Sequence, residues 1–498
     1  MKSLWSTTWQ PVHAGIRPLA APETSTPLHV IFLLLISWFF FFHGLADRDV
    51  WSSHEARAGQ NAQRMLDDRS FGLPRLFDDR FDFQKPPLYY WLVAAVTTIR
   101  GGRVDAWTIR LPAALAATGC LFLLWHWLRR NGRRLAAIVS PLLLATMVHF
   151  TWLGRTGRID MPLAFTIALA IFTLSSRRWW WLGGLSLAAG LLLKGPIGFV
   201  LPVAVVLGSA LWSREIRSWR LLAGPTIGLL AGLPWFIWAN VETKGEFVRV
   251  FFWYHNVQRA LGDAEALSVH PWWYYLPRLM VDALPWSLLL PFVLIYWIHN
   301  RDARLDRGMR LGLTWMLVIV AVLSCARFKR SDYLIPAYPG LALLLGCAAE
   351  KLLPSLQFQW RRRAAAALVS AVLLLVGAWT WWLHDELPRV EPMREQRTFA
   401  RRIREIAPTP NIILFFRAEA HALTFHLGRP VNTFLEWENL DIWAGRPGTH
   451  YIVMPPECAE EWSRHVVSGK LEIVAQNSDC IGGPHEKPLV LVRTIPGR

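Results

Sequence analysis

The sequence predicts an α-helical multi-pass membrane protein with about 11–13 transmembrane helices, followed by a small C-terminal α/β domain. Three observations support this fold class. Hydrophobic residues make up 53% of the 498 residues, and they concentrate in runs that approach the ~20 residues of a membrane-spanning helix. Tryptophan, with 29 residues, recurs at the ends of these runs, where its ring favours the headgroup layer. After residue 384 the apolar runs shorten and charged residues become frequent.

The apolar runs define about twelve candidate membrane segments. Their approximate bounds are 28–45, 87–99, 109–128, 135–153, 161–176, 179–193, 196–212, 221–240, 283–299, 311–325, 333–350 and 364–383.

Short Arg-rich loops between these segments carry most of the net charge of +17. They lie at 129–134, 177–178, 214–220, 301–310 and 361–363. Such loops are typical cytoplasmic anchors under the positive-inside rule, so the net charge does not indicate a nucleic-acid-binding surface.

This orientation gives three regions. Residues 1–27 form a cytoplasmic tail, 28–384 a membrane domain with outer loops 46–86 and 241–282, and 385–498 an extracytoplasmic domain. One conflict arises, because the same orientation assigns the loops on both sides of segment 87–99, including residues 100–108, to the outer face. The segment 87–99 must then be re-entrant, unless a second crossing is hidden there.

The outer face collects basic residues where the positive-inside rule does not expect them. They are Arg57, Lys85, Lys194, Arg259, Lys329 and Arg330. Basic groups on this side call for an anionic partner, and a phosphate-bearing lipid headgroup is the natural candidate.

The C-terminal region alternates helical and strand patterns. Helices are predicted at 394–407 and 418–428, and strands at 411–416, 450–455, 471–476 and 489–494. Cys458 and Cys480 could pair if the region faces an oxidising compartment. The region has no Gly-rich phosphate loop, and its expected role is structural or partner-binding.

Several motifs, taken in order, resemble those of a known family. They are HEARAGQNAQRML, QKPPLYYWL, GRIDMPLAF, LLKGPIGFVLP, FFWYHNVQR with HPWWYYLPRL, and FKRSDYLIPAYP. Together they resemble the ArnT-like and protein-mannosyltransferase-like membrane glycosyltransferases of the type C fold, over nearly all of residues 29–384.

This resemblance implies transfer of a sugar from a polyprenyl-phosphate donor to a cell-envelope acceptor on the outer side of a bacterial inner membrane. The acceptor class stays open between a lipid A-like lipid, a protein and a glycan. Lys and Arg would stabilise the phosphate leaving group, and an acidic residue would activate the acceptor.

The sequence departs from the family pattern at the position of the expected base. His54 stands where the family has Asp, with Glu55 following it, and Gln84 replaces the acid before KPP. We therefore name no cofactor, and a divalent metal held by those acids is disfavoured. Three explanations stay open: His54 is the base, a carboxylate from Glu55, Asp47, Asp49 or Asp160 replaces it, or transferase activity is lost.

The predicted site therefore combines two sets of residues. The predicted catalytic residues are His54, Glu55 and Asp160, and the predicted substrate-binding residues are Arg57, Lys85, Lys194, His255, Arg259, Lys329, Arg330 and Tyr333. Structural roles compete with some of these: Glu55 could pair with Arg57 or Lys85, and Asp160 could cap a helix starting at Met161.

The alternative function is a divergent family member that binds polyprenyl lipid or acts as a transporter. Transporters commonly show paired repeats and polar groups near the middle of the bilayer. This sequence shows no long repeat, and its polar groups collect on one face, which favours the enzyme.

Overall fold

The computed structural model describes residues 25–176, 178–212, 219–262, 269–418 and 420–496. Most of the predicted N-terminal tail and part of the 214–220 loop therefore lie outside the described residues. The helices are α1 (Ser25–Ser37), α2 (Ser53–Asp67), α3 (Leu88–Arg100), α4 (Ala106–Arg130), α5 (Ala136–Ala145), α6 (Val148–Gly154), α7 (Asp160–Leu174), α8 (Trp180–Lys194), α9 (Pro196–Trp212), α10 (Arg220–Glu242), α11 (Arg259–Leu261), α12 (Tyr275–Asp282), α13 (Leu290–His299), α14 (Arg301–Leu305), α15 (Arg307–Ser324), α16 (Tyr338–Ser355), α17 (Phe358–Trp381), α18 (Leu387–Arg394), α19 (Arg397–Ile406), α20 (His421–Leu427), α21 (Trp437–Ala444), α22 (Pro456–His465) and α23 (Asn477–Ile481).

The predicted multi-pass helical fold is confirmed, and each predicted apolar segment overlaps a helix. Among the described residues, 5 helices are long and apolar enough to cross a membrane, or up to 7 if two bent pairs each count as one span. One bent pair is α5 with α6, which meet at 72°. Shorter apolar helices, among them α7 and α8, complete the bundle.

Small residues allow the helices of the bundle to pack closely. A Cβ atom at Gly198 of α9 would lie 2.1 Å from the carbonyl oxygen of Gly190 of α8. Gly312 of α15 approaches Gly340 of α16 in the same way, with a Cβ position 2.7 Å from the carbonyl oxygen. Close backbone approach of this kind is how helices gain contact area within lipid, where no hydrophobic driving force holds them together.

The structure resolves the conflict over the segment at 87–99. Helix α3 begins and ends on the same side of the bundle, because the chain at both of its ends contacts the region around α2 and the start of α4. At its start, the Tyr89 hydroxyl donates to the Ile109 carbonyl over 2.6 Å. Beyond its end, the Val104 amide donates to Gln63 of α2 over 2.9 Å. Helix α3 therefore lies beside α2 at one end of the bundle and does not cross it.

The opposite end of the bundle gathers the basic loops. Arg133 pairs with Asp306 and lies 3.5 Å from Glu350, and Lys351 lies 3.5 Å from Asp306. These contacts join the loops at 129–134 and 301–310 to the end of α16.

The C-terminal region contains a five-stranded sheet in the order β2-β1-β3-β5-β4. The strands are β1 (Ile413–Phe416), β2 (Asn432–Phe434), β3 (Tyr451–Met454), β4 (Gly469–Gln476) and β5 (Val490–Pro496). The pairs β1–β2 and β1–β3 are parallel, whereas β5 is antiparallel to both β3 and β4. The four predicted strands are present, and the sequence prediction missed the short edge strand β2 and helices α21 and α22.

The suggested pairing of Cys458 with Cys480 is wrong. Both thiols are free, because they lie on opposite faces of the sheet. Cys458 packs with the apolar cluster around Trp462, and Cys480 packs with the cluster around Phe399.

The C-terminal region docks on the opening loop and on α2. Asp49 is buried, and its carboxylate accepts from the Gln396 amide at 3.0 Å and lies 2.8 Å from His426 Nε2. Burial alone would raise the pKa of Asp49, but His426 holds it well below its usual range. Gln60 of α2 also donates to the His421 carbonyl over 3.1 Å. The C-terminal region therefore contacts both α2, which carries His54 and Glu55, and the loop that precedes it.

Candidate active site

A two-lobed cavity lies where the opening loop, the start of α7, the end of α8 and the 326–333 loop meet. One lobe is lined mainly by polar residues and the other mainly by apolar residues. The lobes share a wall, formed by Gln84, Lys85, Asp160, Lys194, Arg259, Phe328 and Tyr333. His54, Arg57, Arg158 and Arg330 line the polar lobe only. Leu163, Ile197, Leu201, Phe251 and His255 line the apolar lobe only. Most of the predicted site residues, distant in sequence, thus meet at one cavity.

His54 projects into the polar lobe from the first turn of α2. Burial, reinforced by the charges of Arg158 and Arg330, lowers its pKa to about 3. The imidazole is therefore neutral at ordinary pH, and in the protein without substrate it is a much weaker base than a free histidine.

Glu55, the neighbour of His54, does not line the cavity, and its predicted catalytic role stays a prediction. Its fully buried carboxylate accepts two bonds of 3.0 Å from Arg48 and one of 2.7 Å from Arg110. The Gly157 amide donates to it over 2.9 Å. Burial alone would raise its pKa, but Arg110 and Arg48 hold the pKa of Glu55 well below its usual range. We call these four residues the buried clamp.

A glycine is required at position 157 because the backbone there lies very close to the side chains of Ile109 and Glu55. A Cβ atom there would lie 2.3 Å from the Ile109 side chain and 3.3 Å from the Glu55 side chain. The residue type therefore allows the 155–160 turn to reach Glu55. The alternative pairing of Glu55 with Arg57 or Lys85 is also absent, since Arg57 instead binds Asp82 with an Nε–Oδ2 distance of 3.3 Å.

Asp160 is the centre of an ionic network in the cavity wall. Its carboxylate lies 2.5 Å from Lys194 Nζ and 3.3 Å from Arg158 Nε. Arg158 also reaches Asp332 at 2.7 Å, and Arg330 reaches the same carboxylate at 2.9 Å. Helix α7 begins at Asp160 without a side-chain cap, so Asp160 orients cations and does not act as the helix cap.

The basic residues at the junction of the lobes sit close enough to perturb one another. Burial and the neighbouring Lys194 charge lower the pKa of Lys85 to about 7. The Lys194 ammonium lies 3.8 Å from the centre of the Tyr333 ring. Arg259 contributes to the walls of both lobes. Such a group of cations is suited to an anion that sits between the lobes.

Lys329 does not join this group, which corrects its prediction as a substrate contact. Its buried ammonium donates to the His270 carbonyl over 3.1 Å and to the Ala326 carbonyl. It therefore holds the 326–333 loop in shape, while Arg330 and Tyr333 from the same loop reach the cavity.

Sequence reasoning missed the structural partners of the site. Arg48 and Arg110 bind Glu55, and Asp82 orients Arg57 and accepts from Asn61 at 2.9 Å. Asp82 lies three residues before Lys85, close to the QKPP motif, and from this position in the sequence a role for Asp82 could have been predicted. Nothing comparable marks Arg110, which sits among apolar residues of α4.

The side chains at this site do not form the kind of metal-binding group that an acid-rich first loop would supply. Within the described ranges, no three His, Cys, Asp or Glu side chains are grouped to hold a metal ion. His54 and Gln84 occupy the positions where the family pattern has acids, and Asp160 is already engaged by two cations. We therefore derive no step through a metal.

Comparisons with known proteins identify relatives of this chain. A family model described as dolichyl-phosphate-mannose-protein mannosyltransferase matches residues 84–238. The chain is 32% identical over 333 residues to an undecaprenyl phosphate-alpha-4-amino-4-deoxy-L-arabinose arabinosyl transferase from Pseudomonas paraeruginosa, covering 64% of this chain and 59% of that protein. A protein of the same name from Pectobacterium carotovorum is 30% identical, with 67% of this chain and 60% of that protein covered. The chain thus spans about three fifths of the length of the curated relatives it matches.

Solved structures share the fold. ArnT from Cupriavidus metallidurans bound to undecaprenyl phosphate superposes with a TM-score of 0.76 at 18% identity, covering 95% of this chain and 100% of that one. The Archaeoglobus fulgidus oligosaccharyltransferase gives a TM-score of 0.58 at 11% identity, covering 88% of this chain and 71% of that one.

The chain has the fold of the Cupriavidus ArnT structure, and its similarity to the curated relatives together with its apolar helices supports a multi-pass bacterial inner-membrane protein. Within that class it is ArnT-like and related to the protein-mannosyltransferase family, as its motifs predicted.

The buried clamp yields a stability prediction. Replacing Arg110 with Met leaves Glu55 short of a buried partner, and loss of one partner of a buried pair costs about 3–5 kcal/mol. We expect Arg110→Met to lower the unfolding temperature in detergent strongly. Arg100→Met removes the exposed pair with Asp105 and is the matched control, expected to cost under ~1 kcal/mol. Equal shifts in the two variants would refute a structural role for the clamp.

Proposed function

We propose that the protein transfers a sugar from a polyprenyl-phosphate donor to a phosphate group on the saccharide of a cell-envelope lipid. The observation that carries the proposal is the two-lobed cavity with its cations at the junction. An amphipathic donor needs an apolar wall for its lipid, cations for its phosphate and a polar space for its sugar, and the cavity provides these three in that order.

The donor fits with its isoprenoid end in the apolar lobe, against Leu163, Ile197 and Leu201. Its phosphate then lies among Lys85, Lys194 and Arg259, with Arg330 facing it from the polar lobe. These cations stabilise the charge that builds on the phosphate as the anomeric bond breaks. The names of the relatives, and the undecaprenyl phosphate bound to the Cupriavidus ArnT, support this donor class.

The weak base in the polar lobe favours a phosphate acceptor over a hydroxyl. A hydroxyl nucleophile needs a strong base, and His54 with a pKa of about 3 is a poor one. A phosphate monoester is already largely ionised near neutral pH, since its second pKa is about 6. A phosphate oxygen can therefore attack the anomeric carbon without prior deprotonation, and the loss of the family's Asp becomes tolerable.

The reaction then runs as a direct displacement with inversion. The acceptor oxygen forms a bond to the anomeric carbon while the bond to the donor phosphate breaks, and polyprenyl phosphate leaves as an anion. Neutral His54 hydrogen-bonds the acceptor, which attacks as the dianion and gives up no proton in this step. Asp160 keeps Lys194 and Arg158 in place, and is a positioning residue.

The same proposal sets the orientation of the C-terminal region. It docks on α2 at the end of the bundle that holds the cavity, opposite to the end with the Arg-rich loops. We therefore place residues 385–498, like the cavity, outside the cytoplasm, where the acceptor lipid is found.

The function is tested with purified protein in nanodiscs and a radiolabelled polyprenyl-phosphate pentose or hexose. We expect release of polyprenyl phosphate and transfer to a diphosphorylated glucosamine disaccharide lipid, with no transfer to its dephosphorylated form. His54→Ala should slow transfer by less than the ~100-fold minimum typical of a lost general base. Transfer to a hydroxyl of the dephosphorylated lipid would refute the phosphate-acceptor assignment, and no donor consumption with any acceptor would refute the transferase.

Donor binding should depend on Arg330. Arg330→Gln removes a cation from the polar lobe, and loss of one such contact, about 1.4 kcal/mol, corresponds to about tenfold weaker donor binding. The control is Arg327→Gln in the same loop, because Arg327 is exposed and lines neither lobe. The measurement is the dissociation constant of polyprenyl phosphate by thermophoresis. An unchanged constant in Arg330→Gln would contradict the phosphate position.

Lys85 gives the donor affinity a pH dependence. Because its pKa is lowered to about 7, Lys85 is charged below that pH and loses its charge, and its attraction for phosphate, as pH rises through it. We expect donor affinity measured between pH 6 and about 9 to fall with rising pH. In Lys85→Arg the cation stays charged, so the slope should flatten. An identical slope in this variant would exclude Lys85 as its source.

A further inference from the structure

A second polar cleft lies where the C-terminal region meets the start of α2. The residues of its wall that matter here are Trp51, Ser53, Arg394, Gln396, His421 and Lys487. Ser53 lines this cleft and His54, the next residue, lines the polar lobe. The two spaces therefore flank the same helical turn. We call this space the C-terminal cleft.

The charges of the C-terminal cleft suit an anionic ligand. Arg394 and Lys487 are exposed cations on its wall. The carboxylate that faces them is Glu486, which pairs with Arg394. The guanidinium of Arg394 also lies 5.1 Å from the centre of the Trp51 ring, so it is held over an aromatic surface. A guanidinium in a fixed orientation is well suited to phosphate.

A buried amide in the same wall points to a ligand with hydroxyl groups. Gln396 is 7% exposed, and its side-chain nitrogen lies 3.2 Å from His485 Nε2. Its side-chain oxygen has no hydrogen-bond partner among the described residues. Leaving a buried polar atom unpaired is costly, and a hydroxyl that enters the cleft would satisfy it. An aromatic surface, a free amide oxygen and cations together match a phosphorylated saccharide.

We propose that the C-terminal cleft binds the phosphorylated saccharide head group of the acceptor and presents it to the polar lobe. This inference rests on the proposed function and deepens it, because it assigns acceptor recognition to the C-terminal region. The head group of a diphosphorylated disaccharide carries two phosphates, so one is bound by Arg394 and Lys487 while the other reaches the donor sugar past the His54 turn.

The test uses the full-length protein with a charge-changed cleft, Arg394→Ala together with Lys487→Glu. The matched control, Arg464→Ala with Lys470→Glu, makes the same charge change on exposed residues of the C-terminal region that do not line the cleft. In steady-state transfer we expect the cleft variant to raise the acceptor KM about tenfold or more, with the donor KM and kcat unchanged. The control should match the unaltered protein. An unchanged acceptor KM, or an equal rise in the control, overturns the cleft.

A binding measurement separates failure of the cleft from failure of the transferase. The probe is the diphosphorylated glucosamine disaccharide lipid, titrated by thermophoresis onto protein in nanodiscs of neutral lipid, with the dephosphorylated lipid alongside. We expect binding of the phosphorylated probe, weaker binding by the cleft variant, and little binding of the dephosphorylated probe. Loss of binding in the variant without turnover in any protein would keep the cleft and refute the transferase. Turnover with equal binding of both probes would keep the transferase and refute the cleft.

Discussion

The site depends on one buried interaction, the contact of the Glu55 carboxylate with Arg48, Arg110 and the Gly157 amide. Arg110 also donates to the carbonyls of Leu45, Arg48 and Asp49. A single cluster thus joins the opening loop, α4 and the 155–160 turn. A fully desolvated charge is tolerated only when its partners are complete, so these segments are held in one arrangement. His54 and Asp160 face one cavity because the clamp holds their backbones.

The cavity is rich in cations and poor in free bases, and this balance shapes the chemistry. Two of the positive charges that lower the pKa of His54, those of Arg330 and Lys85, also belong to the cations proposed to bind the donor phosphate. Binding of an anionic donor offsets them, and so makes the imidazole more basic when the substrate is present. An acceptor that is itself ionised needs little more than orientation. Replacement of the family's Asp by His54 is therefore consistent with a retained transferase whose acceptor is already an anion.

The C-terminal region packs against α2, the helix that carries His54, and does not sit apart from it. Asp49 ties it to the opening loop, and Gln60 ties it to α2 through the His421 carbonyl. In addition, a Cβ atom at Gly59 would lie 2.6 Å from Phe425 of α20. Contacts on this scale place the C-terminal cleft against the helix turn that carries His54. The sequence indicated only a structural or partner-binding role for this region, yet the region lies against the helix turn that carries His54.

The sequence predicted the membrane class, the helical segments, most strands of the C-terminal sheet and most of the cations that line the cavity. It could do so because hydrophobic runs, strand patterns and motif order are local properties of the chain. It could not assign the partners of Glu55 and Lys329 or the path of α3. The carboxylate of Glu55 and the ammonium of Lys329 point away from the cavity toward partners distant in sequence, and α3 turns back because both of its ends find contacts near α2. Only the tertiary structure decides which face of a helix or loop is buried and against what, and that choice separates the residues that stabilise this site from those that line it.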